Sequence, residues 1–271
     1  MTVDIRLKQT PLGPIMYLPH DQYVGRSIDL YQEFSSGEAA FFKFAIKGGS
    51  VIDVGANIGA HSVLFAKLAD STFAFEPQNI LFRLLCANLS GYSNAYTYNA
   101  AVGNDEGIVW LPSLDYSVKN NFGGLGVNTF KQQQVEIPTV KTQLRKLDKV
   151  EAIQQCDKID LIKVDVEGME KDVLEGAQAT IDRYRPILYV ENDKPGHSRD
   201  LVTFIYNLGY RAWWHITFLY NADNPAKNTA NVFPGLASFN LICLPEGHWM
   251  QINNAIECTP TNYGPPEGCK I

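Results

Sequence analysis

Short runs of apolar residues alternate along the chain with longer stretches that carry apolar residues at helical spacing. The run "SVIDV" (50–54) reads as a strand, and "AHSVLFAKLAD" (60–70) follows it with Val63, Leu64, Ala66 and Leu68 on one side. "TFAFE" (72–76) is a second strand ending on Glu76, and Pro77 suits the first position of the next helix. That helix, "QNILFRLLCANLS", carries Ile80, Leu81, Leu84, Leu85 and Leu89 as an amphipathic stripe. "AYTYNAAV" (95–102) reads as a third strand and "IDLIKVDVEG" (159–168) as a fourth with its turn. A helix with Met169, Val173, Leu174, Ala177 and Ile181 on one face follows, then the strand "PILYVEND" (186–193). "SRDLVTFIYNLGY" (198–210) reads as a helix stopped by Gly209, and "RAWWHI" and "SFNLICLP" as two final strands.

Repeated alternation of strand and helix predicts a parallel sheet covered on both faces. Ligands of such sheets bind beyond the carboxyl ends of the strands. The polar residues that close the apolar strands are Asp53, Glu76, Asn99, Asp165 and Glu191, so the site is expected among them. The polar, Gly-rich stretch 112–138 is too long for an idle connection and reads as a functional loop over that site.

Composition narrows the function classes. The chain has 271 residues, 45% of them hydrophobic and 19% charged, enough for one large α/β domain with a buried core. A net charge of −6 without a Lys/Arg run argues against a partner held by its phosphates, so no nucleic acid is expected. The N-terminal "MTVDIRLKQTPLGP" has no apolar leader, and "AAFFKFAI" and "ILFRLLCANL" are too short and too charged to span a bilayer. Five cysteines without CxxC spacing read as reduced thiols of a cytoplasmic protein, although Cys258 and Cys269 lie near enough in sequence to pair.

The turn "DVGANIG" carries the chemistry. A dinucleotide site wants glycine where Asn57 stands, because its side chain fills the space of a pyrophosphate. The turn therefore suits a ligand without phosphates. Together "DVGANIGAHS", "FEP" and "IKVDVEGME" (162–170) resemble the FkbM family of class I S-adenosylmethionine (SAM)-dependent methyltransferases, over about residues 37–193. The resemblance implies a Rossmann-like, doubly wound, mainly parallel seven-stranded sheet with an antiparallel last strand. It divides the chain into an N-terminal extension (1–36), a methyltransferase domain (37–250) and an irregular tail (251–271). It implies SAM as cofactor, held by Asp53, Gly55, Asn57 and Gly59 of the turn. Glu76, 23 residues after Asp53, would hold the ribose, and Asn99 and Ala101 would pass the adenine. The family mostly methylates hydroxyl groups of sugars and other natural products, so a small-molecule or glycan acceptor is expected. The plain alternatives are that Asp53 satisfies its own turn and that Glu76 caps a helix.

Methyl transfer to an alcohol needs a base that takes its proton during attack. Asp165 closes "LIKVD" and shares a strand face with Lys163, about 7 Å away; a buried ion pair between them is the bland reading. Glu167, at the mouth of the next turn, and Glu191 complete the acid set, with Asp193 beside them. His215, in "AWWHI", is the other candidate base because imidazole titrates near neutrality. His61, beside the cofactor turn, reads as structural. Trp213 and Trp214 alternate, so one should pack inward and one should offer an indole to the ligand. Asp165, Glu191 and Asn192 also match the ligand pattern of metal-dependent O-methyltransferases and would suit Mg²⁺; the opening Glu of that pair argues against it. The other function classes are an NAD(P)-dependent oxidoreductase, disfavoured by Asn57, and a non-catalytic SAM-binding relative. Thermal stabilisation by SAM or NADH separates the first, and binding without turnover marks the second.

Overall fold

The computed structural model describes residues 3–124 and 138–266. In chain order the strands and helices are β1 (Arg6–Thr10), β2 (Gly13–Tyr17), α1 (Val24–Tyr31), α2 (Ser36–Ala45), β3 (Ser50–Val54), α3 (Ser62–Leu68), β4 (Thr72–Phe75), α4 (Asn79–Leu89), β5 (Ala95–Tyr98), β6 (Ala100–Val102) and β7 (Gly107–Pro112). They continue with β8 (Thr139–Arg145), α5 (Glu151–Gln154), β9 (Ile159–Val164), α6 (Glu170–Glu175), α7 (Gln178–Tyr184), β10 (Ile187–Glu191), α8 (Pro195–Asn207), β11 (Tyr210–Phe218), β12 (Ala237–Pro245) and β13 (Glu257–Cys258).

The main sheet has eight strands in the order β13-β11-β12-β10-β9-β3-β4-β5. The five from β10 to β5 are parallel, while β12 runs antiparallel to both β10 and β11, and β13 antiparallel to β11. The expected seven strands with one reversed are thus corrected to eight strands with three antiparallel pairs. The addition is short: Cys258 pairs with Ala212 beside the exposed edge of β11, in a stretch with no apolar periodicity to announce it. Two smaller sheets, β1-β2 and β6-β8-β7, flank the main one.

Alternation along the buried strands feeds two cores. Ile52, Val54, Ile162, Val164, Leu188 and Val190 pack against Val173, Leu174, Ile181, Leu201 and Ile205 of the following helices. Val51, Leu161, Ile187 and Tyr189 face the other way, onto Phe42, Leu64 and Phe65 of α2 and α3. Asp53 and Lys163 share that second face, in register with each other and with Tyr189.

The run read as one strand over 95–102 breaks at Asn99, whose Nδ2 donates to the carbonyls of Glu76 and Pro77. The helix expected after Gly168 is two helices, α6 and α7, with Gly176 between them lying against the Gly103 carbonyl so closely that a Cβ would clash. Pro77 precedes α4 rather than opening it, because Glu76 accepts the Gln78 N–H and holds the turn outside the helix. Among the described residues no helix is long and apolar enough to cross a membrane. Cys269 and residues 125–137 of the Gly-rich loop lie outside the described residues; Cys258 is a free, buried thiol.

Candidate active site

Beyond the carboxyl ends of β3, β4, β9 and β10 lies a cavity of about 450 Å³. Asp53, Gly55, Asn57, Glu76 and Ala101 line it together with Asp165, Glu167 and Glu191, so the carboxylates at the tips of β3 and β4 share one space. Tyr23, Phe34, Leu219 and Phe239 supply an apolar wall.

The turn after β3 is built for tight backbone. Gly55 has φ +81°, and a Cβ there would strike the Asp165 carbonyl. Gly59, at φ +85°, packs on Leu85 and does not line the cavity, so its role is in the turn itself. Asn57 also sits at positive φ, 54°, a conformation asparagine tolerates. Its N–H donates to Glu76 Oε2 at 2.9 Å while Glu76 Oε1 accepts the Gln78 N–H at 2.8 Å. Burial pushes the Glu76 carboxyl up to about 7.

Asp53 is 1% exposed. Its Oδ2 accepts from Ser62 Oγ at 2.6 Å, and its Oδ1 has no hydrogen bond, with Lys163 Nζ at 3.5 Å. Burial raises its pKa, against the pull of Lys163. Lys163 also reaches Asp165 Oδ2 at 3.1 Å, which makes the ion pair of the bland reading real. Burial alone would lower the Lys163 pKa, but Asp165, Asp53 and Glu38 outweigh it and hold the ammonium charged.

At the other end, Lys194 Nζ bridges Glu167 Oε2 and Asp193 Oδ2, each at 2.7 Å. Glu191 Oε2 and Asp193 Oδ1 are buried without a hydrogen-bond partner. Burial, reinforced by Asp165 and the other carboxylates, raises the Glu191 pKa well above the ordinary range; burial brings Glu167 to about 6.

Five sequence-predicted residues stand apart from this group. Asn99 braces the backbone at Glu76 and Pro77 and does not line the cavity. Asn192 lies on the opposite sheet face from Glu191, as neighbours on a strand must, and lines a small separate pocket with Trp214 and Tyr263. It is therefore not placed to join Asp165 and Glu191 around a metal; Glu167 takes that place, with ligand oxygens of Asp165, Glu167 and Glu191 within 4.8 Å of one another. His215 hydrogen-bonds through Nδ1 to the Tyr189 hydroxyl at 2.9 Å beneath Phe41 of α2, outside the cavity, and burial lowers its pKa. Trp213 and Trp214 do not line the cavity either: the sheet is covered on both sides, and each indole packs into one of the two cores.

Sequence reasoning missed the wall residues Tyr23 and Phe34, and Glu38 on α2. The only trace of Glu38 was an acid set among small and aromatic residues in "SGEAAFFKFA". It is now 4% exposed, with Oε1 accepting from Asn240 Nδ2 at 3.1 Å.

The residues fit SAM better than a phosphorylated cofactor. Asp53 and Glu76 line the cavity and bring negative charge and acceptor oxygens to where an ammonium and ribose hydroxyls would lie. The lysines that line it, Lys163 and Lys194, are both already paired with acids, which leaves a pyrophosphate no free cation among the described residues.

A curated relative, the AMB antimetabolite synthetase AmbE of Pseudomonas aeruginosa, is 28% identical over 177 residues, 53% of this chain; the chain spans 8% of that protein's length. Among solved structures, a methyltransferase FkbM from Methylobacillus flagellatus superposes with a TM-score of 0.46 at 13% identity, over 80% of this chain and 51% of that one. The magnesium protoporphyrin IX methyltransferase of Synechocystis, solved with bound SAM, gives 0.43 at 10% identity, over 83% and 85%. The family model described as Methyltransferase FkbM domain matches residues 53–212, from the aspartate that closes β3 into β11. The chain belongs to the FkbM methyltransferase family.

Proposed function

We propose that this chain transfers a methyl group from SAM to a hydroxyl of a sugar, glycan or natural-product acceptor. The observation that carries the reading is the single cavity shared by Asp53 and Glu76 with Asp165, Glu167 and Glu191. Asp53, Gly55, Asn57, Glu76 and Ala101 hold the cofactor end. When bound there, SAM supplies a methyl group activated by its sulfonium.

Asp165 accepts from Lys163 through Oδ2, which leaves Oδ1 for the proton of an acceptor hydroxyl. Glu167 and Glu191 accept from neighbouring hydroxyls and orient the acceptor for in-line attack. The apolar wall of Tyr23, Phe34, Leu219 and Phe239 keeps water from competing. Phosphate-bearing acceptors, nucleic acids among them, meet an excess of carboxylates here. Mg²⁺ is not part of the reading, because Lys163 and Lys194 already occupy oxygens of Asp165 and Glu167.

The test is mass spectrometry of polyol and natural-product acceptors incubated with isotope-labelled SAM, with and without EDTA. Label should enter a hydroxyl in both conditions, and Asp165→Ala should lower transfer at least about 100-fold while SAM affinity stays within a few-fold. Loss of SAM binding in that variant would move Asp165 to the cofactor. Abolition by EDTA with recovery in Mg²⁺ would make the acid group a metal site.

A further inference from the structure

Strand register sets Asp53 and Lys163 side by side on the sheet face covered by α2 and α3. Lys163 is 3% exposed, with its ammonium 3.5 Å from Asp53 Oδ1 and 3.1 Å from Asp165 Oδ2. Glu38 reaches down from α2 onto the same face. Its Oε1 accepts from Asn240 Nδ2 at 3.1 Å and, more weakly, from Thr217 Oγ1 at 3.5 Å. Its Oε2 faces His61 Nε2 at 3.8 Å.

The groups around Glu38 come from every packed element: Ser35 before α2, His61 before α3, Lys163 of β9 with Asp165 beyond it, Tyr189 of β10, Thr217 of β11, and Ser238 and Asn240 of β12. Only Lys163 among them is a cation, because burial pushes His61 down to about 3 and keeps its ring neutral. Two buried carboxyls and the more exposed Asp165 thus share one ammonium. A buried excess of negative charge is costly, and a bound proton removes it. Burial pushes Glu38 up to about 7, in keeping with a proton on that carboxyl.

Two polar atoms of this cluster lack any hydrogen bond, Asp53 Oδ1 and His61 Nε2. Both side chains are more than nine-tenths buried, and both residues line the cavity. Asp53 Oδ1 meets only the Lys163 ammonium, at 3.5 Å, so a cation that enters the cavity lies directly beside this cluster. The methionine part of SAM carries an ammonium and a sulfonium against one carboxylate, a net positive charge, and its cationic end brought beside this cluster opposes the proton on Glu38.

We infer that Glu38 is a further residue of the cofactor end, a buried carboxyl that releases its proton to solvent when a cationic cofactor docks beside Asp53 and His61. This rests on the reading of SAM as the ligand. The step moves one proton from the Glu38 carboxyl to buffer and forms no bond to the cofactor. Cofactor affinity then rises with pH, by up to about tenfold per unit for a one-proton linkage.

The experiment is calorimetric titration of the ligand-free full chain with SAM near neutrality, in two buffers of different ionisation heat. Wild type should release a large fraction of a proton and bind several-fold more tightly at pH 7 than at pH 6. Glu38→Gln, which keeps the shape and an accepting oxygen, should bind SAM with that release lost and the pH dependence flattened. Asn240→Leu strips a donor from Glu38 and should move the release to higher pH, so the inference stays testable if the first variant does not fold. Binding by wild type without proton exchange, equal release from Glu38→Gln, or an unmoved window in Asn240→Leu overturns the inference and leaves the SAM reading intact. No binding of SAM by wild type overturns both.

Discussion

Glu167 holds φ +58°, a left-handed backbone that side chains with a Cβ rarely adopt, and Gly168 follows at φ +99°. The conformation costs about 1–2 kcal/mol for a non-glycine residue. It aims the carboxylate into the cavity, where Lys194 meets it and burial brings it to about 6. A glycine would relieve the strain and remove a carboxyl that is reluctant to ionise, and Lys194 would keep Asp193. Glu167→Gly is therefore expected to raise the melting temperature by about 2–4 °C while transfer falls at least about tenfold. A melting temperature several degrees lower would mean that the bond to Lys194 outweighs the strain. At this scale the strand-end acids were legible, because an acid closing an apolar run has few ordinary reasons to be there. Asn192 was misplaced because adjacency in sequence next to Glu191 puts the two on opposite faces. His215 was misplaced because nothing in "AWWHI" says that α2 covers it.

At the scale of elements, one buried carboxylate joins the N-terminal segment to the loop over the site. Asp21 is 4% exposed; its Oδ1 accepts the N–H groups of Tyr23 and Gly25 at the head of α1, and its Oδ2 accepts that of Phe122 at 3.3 Å. Phe122 is buried with Ile15, Ile28 and Leu81, while Tyr23 and Gly123 line the cavity. Asp21→Ala should cost about 1–2 kcal/mol, as loss of a helix-capping acid does, read as a lower urea midpoint. SAM affinity should weaken with it, because the wall loosens; an unchanged midpoint would show that the loop is held without Asp21. The alternation of β and α elements was plain in the apolar periods. The break at Asn99 and the split between α6 and α7 were not. The first is fixed by hydrogen bonds to a turn 22 residues earlier, the second by backbone contact with Gly103.

For the whole molecule the buried acids set an unusual response to pH. Burial raises Glu38, Glu76 and Glu170 from the ordinary 4.5 to about 7, and holds Glu191 well above the ordinary carboxylate range too. A carboxyl with a raised pKa stabilises the fold fully below its ordinary range, and that stability is lost as pH climbs through the raised value. His61, His215 and His248, whose pKa burial lowers, act in the opposite sense as pH falls below the ordinary imidazole value of 6.5. Between pH 6.5 and 8 the acids prevail. The ligand-free protein should melt lower at pH 8 than at pH 6.5, by about 2–4 °C for each kcal/mol lost, as read by differential scanning calorimetry. A melting temperature that rises over that interval would mean these carboxyls ionise freely in the fold.

The sequence by itself determined the alternating α/β class, the glycine-bearing turn after β3, and the acids at the strand tips. These are local: a period of apolar residues, a glycine where φ must be positive, and a polar residue ending a run are written within a few positions. Tertiary structure alone decided that those acids share one space while Asn99, Asn192 and His215 lie outside it. It also added Glu38, Tyr23 and Phe34 from the N-terminal part and the strand at Glu257–Cys258. Such choices depend on register, on which face a helix covers, and on charge buried next to charge, and these join residues far apart in the chain.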